Sequence, residues 1–161
     1  MPRRHLKFVS WSLVAALGAG ASGCEDGSYR DMGGDISVLT KREDALVAVA
    51  ADRLVAFKRR ALPQIETALH TASPAGKVHL LTVLERIGDA EAIPVLRHFA
   101  LYDPNPEVRG LCERVLKQWA EGSAGGEPDD QPTRAHLASA ALSHIASKRA
   151  AGEGPVVVGV L

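Results

Sequence analysis

Residues able to do covalent or metal chemistry are few in this 161-residue chain, and their spacing does not build a catalytic site. Two cysteines, Cys24 and Cys112, are too few for a disulfide framework or a cysteine-rich zinc module. His136 and His144 stand eight residues apart on a predicted helix, whereas a helical zinc pair needs a spacing of four. Neither a phosphate-binding glycine loop nor a Gly-x-Ser-x-Gly motif occurs. We therefore expect no catalytic residues, no metal and no cofactor.

The overall composition excludes two further classes of protein. There are 19 Lys and Arg residues against 19 Asp and Glu residues, so the net charge is zero. A nucleic-acid-binding domain normally carries a basic excess. The hydrophobic share of 46% is too high for a wholly disordered chain. The length allows one modest domain.

The N-terminal segment has the layout of a secretory signal. Arg3, Arg4 and Lys7 precede an apolar run from Phe8 to Ala21, and the first acidic residue is Glu25. This run is shorter than the roughly 20 residues that a transmembrane helix requires. A basic start, a short apolar stretch and small residues after it are typical of a signal peptide. We expect residues 1–23 to be that peptide.

The end of this segment resembles the lipobox of bacterial lipoproteins, on the residues Ala21, Ser22, Gly23 and Cys24. The usual pattern has Leu where Ala21 stands. The resemblance implies that Cys24 receives diacylglycerol and becomes the mature N-terminus, and two or three acyl chains anchor a protein stably. The protein would then sit in the bacterial cell envelope, with its domain outside the cytoplasm. The alternative is an ordinary signal peptide or a retained anchor, with Cys24 incidental.

The first part of the mature chain is predicted to be a tether followed by a helix. Residues 24–39 are rich in glycine and acids and are predicted to be flexible. Thr40 and Glu43 have the spacing of a capping box, which predicts a helix from there to about Arg60. The basic residues at 58–60 suit the negative end of that helix. They would alternatively contact anionic lipid headgroups.

From residue 61 onward the chain repeats itself at an offset of 31 residues. Each unit has two apolar-periodic stretches separated by a turn, and a proline opens the first stretch, at Pro63 and Pro94. Ser73 and Asn105 each precede a proline and are good N-caps for the second stretch. Helix pairs at a fixed period indicate an all-α fold of the α-solenoid type.

The second unit, residues 88–120, resembles a HEAT repeat of the short bacterial type. The residues that carry the resemblance are Pro94 early in the first helix, Asp103 in the turn, and Val108 and Arg109 entering the second helix. The first unit keeps the proline but has Ala72 opposite Asp103. The resemblance implies a short HEAT-like solenoid over residues 40–121. It also implies that Asp103 and Arg109 form structural ladders between repeats.

The C-terminal part is predicted to be a linker, a helix and a tail. Residues 122–132 are rich in glycine, proline and acids, as in a linker. Residues 133–152 are alanine-rich, with Leu137, Ala141 and Ile145 on one stripe. This helix either docks on the solenoid or waits for a partner. Residues 153–161 are valine-rich and strand-prone.

These patterns together predict a lipid-anchored interaction or scaffold module that binds another envelope protein, because solenoids expose extended surfaces. By analogy with the family, the second helices of the pairs line the binding face. The candidate residues are His79, Glu85, Arg86, Glu113, Arg114 and Lys117. The alternatives are an accessory envelope lipoprotein without a specific partner, or a HEAT-like protein resembling the lyases that attach bilins. We expect no nucleic-acid partner, and the oligomeric state stays open.

Overall fold

The computed structural model describes residues 26–41, 46–122 and 131–154, and every regular element in these residues is helical. Two of the elements are 3₁₀ turns, Lys58–Ala61 and Ala90–Ala92, each of which leads directly into an α-helix. The all-α prediction is confirmed. The predicted signal peptide, Cys24, most of the predicted linker and residues 155–161 lie outside the described residues. The described residues form seven α-helices: α1 (Asp26–Lys41), α2 (Leu46–Ala56), α3 (Leu62–Thr71), α4 (Pro74–Ile87), α5 (Ile93–Tyr102), α6 (Pro106–Ala120) and α7 (Gln131–Ala150).

Local chemistry explains where the repeated helices begin. Pro63 and Pro94 occupy the second position of α3 and α5, where a helix needs no N–H donor. The predicted N-caps are confirmed: the Ser73 hydroxyl accepts from the Gly76 N–H at 3.2 Å, and the Asn105 side chain accepts from the Glu107 N–H at 2.8 Å. These caps fix the starts of α4 and α6.

One hydrophobic core runs through the row of helices. α1 and α2 pack on α4, α4 packs on α6, and α7 packs on both α5 and α6. Leu54, Leu84, Leu96 and Leu116 are buried along this row. Trp119 of α6 is fully buried, and Arg134 of α7 lies over its ring.

The prediction of a flexible tether over residues 24–39 is wrong from residue 26 onward, and residues 24 and 25 lie outside the described residues. Residues 26–41 form α1, in which Met32 and Leu39 are buried and Ile36 is partly buried. Their spacing of four and three residues puts them on one face of a helix. Gly33 and Gly34, which suggested flexibility, lie on the exposed face.

Of the helix predicted from Thr40 to about Arg60, the structure has the part over Leu46–Ala56, as α2, and the predicted start and end are wrong. Thr40 lies in the last turn of α1, and its hydroxyl donates to the Ile36 carbonyl at 3.0 Å, so it does not cap a new helix. Glu43 is outside the described residues. α2 ends at Ala56, and the basic residues 58–60 lie in the 3₁₀ turn after it. They therefore do not form the last turn of α2.

The C-terminal helix begins at Gln131, two residues before the predicted start, and it docks on the repeats. Ala138, Ala141 and Ile145 are buried, whereas Leu137 is 42% exposed. Gly152, with φ of 77°, ends the helix: its N–H donates to the Arg149 carbonyl and the next N–H donates to the Lys148 carbonyl. No helix within residues 26–154 that the structure describes is long and apolar enough to cross a membrane.

Candidate functional site

An apolar groove of about 780 Å³ opens on the described part of the chain. It is lined by the first turns of α3, the second 3₁₀ turn with the first half of α5, and the middle of α7, together with Arg59 of the first 3₁₀ turn and Leu84 of α4. We call it the α3/α5/α7 groove. Its apolar lining includes Leu62, Pro63, Ile93, Pro94, Leu137 and Ala140.

The groove stays open because its lining side chains are small. Ala90, Ala92 and Pro94 lie along α5 and its preceding turn, and Ala140 and Ala141 lie on α7. None of these side chains is long enough to cross the gap between α3 and α7. The partly exposed Leu137 at the edge is therefore left without a covering neighbour. The sequence stripe places Leu137 in the core, so sequence reasoning missed the groove.

Charged side chains surround the apolar centre. Arg59 donates from Nε to Glu91 Oε2 at 2.6 Å, which links the two 3₁₀ turns across the groove. Glu66 of α3, Arg97 of α5 and His144 of α7 also border it. The two arginines and two glutamates balance, so the rim has no net charge when His144 is neutral.

Both ends of α7 are fixed to the repeats. Arg134 is fully buried, donates from Nη1 to the Gly88 carbonyl at 2.6 Å, and lies 5.5 Å from the centre of the Trp119 ring. Arg149 donates to the Ala100 carbonyl at 3.1 Å and forms an ion pair with Glu113. Because these contacts tie its start to the start of α5 and its end to the end of α5, α7 runs parallel to α5.

Sequence reasoning missed Arg134, although a signal was present. Arg134 lies four residues before Ala138, on the stripe that continues to Ala141 and Ile145. An arginine on an apolar stripe is usually assigned to a helix edge, because long charged side chains are rarely fully buried unless paired. Here the Gly88 carbonyl and the Trp119 ring supply the partners.

The residues assigned to repeat ladders gather at the turn between α5 and α6. The buried Asp103 carboxylate accepts from Lys77 Nζ at 2.6 Å and from the Asn105 N–H at 2.8 Å. Arg109 Nη1 donates to the Asp103 and Pro104 carbonyls at 2.8 and 3.0 Å. Asp103 therefore contacts the preceding unit, whereas Arg109 contacts its own turn.

Val108 and Pro94, the other two residues that carry the HEAT resemblance, lie apart from the Lys77–Asp103 ion pair. Val108 is buried in the core, and Pro94 is exposed on the groove. Sequence reasoning missed Lys77 because α4 and α6 begin 32 residues apart rather than 31, which places Lys77 opposite Arg109.

The six residues predicted to face a partner are divided among different neighbours. His79 donates from Nδ1 to the Leu39 carbonyl of α1 at 3.1 Å. Arg86 forms an ion pair with Asp52 of α2 at 2.7 Å, and Glu113 pairs with Arg149 of α7. Glu85 is half-buried, and Arg114 and Lys117 are exposed on α6.

The described residues offer no obvious reactive centre. Within them, no group of three His, Cys, Asp or Glu side chains could hold a metal ion. Burial raises the pKa of Cys112 from 9.0 to about 12, and the charges of Asp103 and Glu113 add to this shift. The thiol is therefore protonated at neutral pH, as expected for a cysteine in the core.

Comparison of the chain with protein-family models, with curated proteins and with solved structures gave no match. Its function is therefore inferred from its own residues and their geometry.

Proposed function

We propose that this protein is a lipid-anchored component of the bacterial envelope, and that its helices form a short HEAT-like solenoid that binds another protein. The observation that carries the proposal is the α3/α5/α7 groove. A rigid apolar concavity with a polar edge is suited to receive the apolar anchor side chains of a partner. Both ends of α7 are tied to the repeats through Arg134 and Arg149, so the groove has a preformed shape.

The charges around the groove favour a protein over an anionic small molecule. Arg59 and Glu91 neutralise each other, and Glu66 and Arg97 add one charge of each sign. A phosphate or a lipid headgroup needs a cationic excess, which this rim lacks. An apolar centre with a mixed polar rim is the usual anatomy of a protein interface.

The anchor in this proposal rests on the sequence. The small residues Ala21, Ser22 and Gly23 directly precede Cys24 and follow the apolar run of a signal peptide. We expect Cys24→Ala to release the protein from membranes or leave it as the uncleaved precursor. A variant that stays membrane-bound with an unchanged mass would disprove lipidation.

The binding proposal is tested by photo-crosslinking in the native host. A photoreactive amino acid replaces Leu137 in the groove, and a matched protein carries it at Lys117 on α6, an exposed residue from the predicted partner face. We expect one discrete product from the Leu137 position and none from Lys117. The same product from both positions, or a product from Lys117 alone, would refute binding in the groove.

A second variant shows whether the product depends on the shape of the groove. Ala140→Trp fills the groove from an exposed position of α7, and Ser139→Trp adds the same ring at a neighbouring exposed residue that does not line it. Once the product is identified and purified, we expect Ala140→Trp to weaken its binding at least tenfold, about 1.4 kcal/mol. Ser139→Trp should bind as the parent does.

A further inference from the structure

The start of α1 and the α3/α5/α7 groove lie at the same end of the molecule. At its last turn, α1 meets the first turn of α4, where a Cβ added to Gly76 would lie 3.0 Å from the Thr40 Cα. Further back along α1, Gly33 borders the same surface depression as Ala68 of α3. Asp35, near the middle of α1, lies 3.6 Å from Arg53 of α2.

These contacts set the direction of α1. Read from its end towards its start, α1 moves from the end of α3 towards the first turns of α3. It therefore runs parallel to α3, and its start points towards the end of the molecule that holds the first turn of α3 and the 3₁₀ turn before it. The groove also begins there, with Arg59, Leu62 and Pro63. No described residue of α1 lines the groove, so α1 and the groove flank α3 without overlapping.

The chain between the proposed lipid and this end of the molecule is very short. Only Glu25 stands between Cys24 and the first residue of α1. Two residues span at most about 7 Å. An acylated Cys24 would hold the start of α1 at the headgroups, together with the mouth of the groove. The far end of the ten-residue α3 would stand roughly 15 Å further out.

We propose that the groove works at the membrane surface, and that its occupant is an amphipathic helix that adjoins the membrane anchor of a partner protein. This inference rests on the proposed function, because it uses both the lipid on Cys24 and the groove. It specifies where the partner segment must lie and which secondary structure it has.

The dimensions of the groove fit a helix of about two turns. Along α7 the lining runs from Leu137 to His144, a rise of roughly 10 Å. That length matches apolar anchors at positions i, i+3 or i+4, and i+7 of a bound helix. Glu66 and Arg97 lie beside these positions on α3 and α5, where a helix with flanking charges of both signs would pair with them.

The orientation is measured with the lipidated full-length protein in vesicles of phosphatidylethanolamine and phosphatidylglycerol that contain headgroup-nitroxide lipid. A fluorophore is attached at Ala140→Cys in the groove or at Ala75→Cys at the opposite end, both exposed positions, while the buried Cys112 stays unlabelled. We expect stronger quenching at position 140 than at position 75, because the groove opens at the end of the molecule that holds the lipid, whereas Ala75 lies in the first turn of α4, beyond the far end of α3. Equal quenching, or stronger quenching at position 75, would overturn the proposal.

The same labelled protein in a second set of vesicles distinguishes a groove that binds a helix from a groove that binds a lipid acyl chain. With lipids brominated deep in the acyl chain in place of the nitroxide, we expect little quenching at position 140. Stronger quenching by the brominated chains than by the headgroup nitroxide would mean that an acyl chain fills the groove, and it would overturn the proposal.

The partner's position is tested by lengthening the connection to the lipid. A Gly-Ser spacer of about 20 residues inserted between Glu25 and Asp26 has a mean reach of roughly 25 Å. We expect the crosslink from Leu137 to fall at least fivefold in the spacer protein. An unchanged crosslink would overturn this inference and leave the proposed function intact. A crosslink absent from both proteins would overturn both.

Discussion

The turn between α3 and α4 and the turn between α5 and α6 hold equivalent places in the two units, but different forces stabilise them. In the first turn, Ser73 caps α4, and Gly76 lets the backbone of α1 approach closely. In the second turn, the buried carboxylate of Asp103 receives Lys77, and Arg109 contacts two backbone carbonyls. The first turn depends on close packing, and the second depends on charge.

The difference follows from what lies before each turn. The second turn faces α4, whose Lys77 can reach it. The first turn has Ala72 where the second has Asp103, and its neighbour is α1 rather than another unit. In this protein the charged contact lies where the second unit meets the first, and the small residue lies where the first unit meets α1.

The largest loss of folding stability is expected from Asp103→Ala. It leaves the Lys77 ammonium, whose side chain is only 13% exposed, without its counterion. Removal of one partner of a buried pair typically costs about 3 kcal/mol. Urea unfolding followed by circular dichroism measures the loss. The double variant Lys77→Met, Asp103→Leu removes both charges and should recover most of the stability; a single variant as stable as the parent would show that the pair contributes nothing.

A smaller loss is expected from Arg134→Met, which extends the comparison to α7. Methionine keeps most of the apolar contact with Trp119 but cannot donate to the Gly88 carbonyl. A lost hydrogen bond from a charged donor costs about 2 kcal/mol. Trp119 fluorescence should show α7 separating at a lower urea concentration than the unfolding of the other helices. Arg114→Met, at an exposed position on α6, is the matched control and should change stability little.

Two glycines test the role of close packing. Gly76→Ala places a methyl group 3.0 Å from the Thr40 Cα, so α1 must shift, at a cost of about 1–2 kcal/mol. Gly110→Ala, inside α6, meets nothing within 4 Å and should stabilise the helix by up to about 1 kcal/mol. Opposite signs in thermal unfolding would confirm that the close approach of α1 makes a glycine necessary at position 76. Stabilisation by both variants would show that α1 accommodates the added methyl group.

The smallest effect concerns pH and is confined to the second unit. The pKa of Cys112 is raised from 9.0 to about 12, so the stability that its burial provides is complete below about pH 9 and falls as the pH rises towards 12. At pH 10 the free energy of unfolding is about 1 kcal/mol lower than it is well below pH 9. The stability difference between the parent and Cys112→Ala should shrink from pH 8 to pH 10. A constant difference would show that folding does not raise the pKa of the Cys112 thiol.

Much of the repeat was predictable because local chemistry determines it. Ser73 and Asn105 cap the helices that follow through contacts within three residues, and Pro63 and Pro94 lie near helix starts. Such features are visible in any short window of sequence.

The remaining features depend on contacts between distant residues. Arg134 is buried because of a carbonyl 46 residues earlier in the chain. The glycines and acids of residues 26–41 concealed a helix whose apolar face needs α4 to cover it. The groove arises from small residues on three separate elements, and no window of sequence contains all of them.

The Lys77–Asp103 contact determines how this protein can grow by duplication. A second copy of the first unit, inserted after the original, would place the copied Ala72 opposite the original Lys77. The Lys77 ammonium would then have no counterion. A second copy of the second unit would instead place a new Asp103 opposite Arg109, which holds the position equivalent to Lys77. An array lengthened by copying the second unit would therefore keep a carboxylate opposite a cation at each junction, whereas a copy of the first unit would leave a mostly buried lysine unpaired.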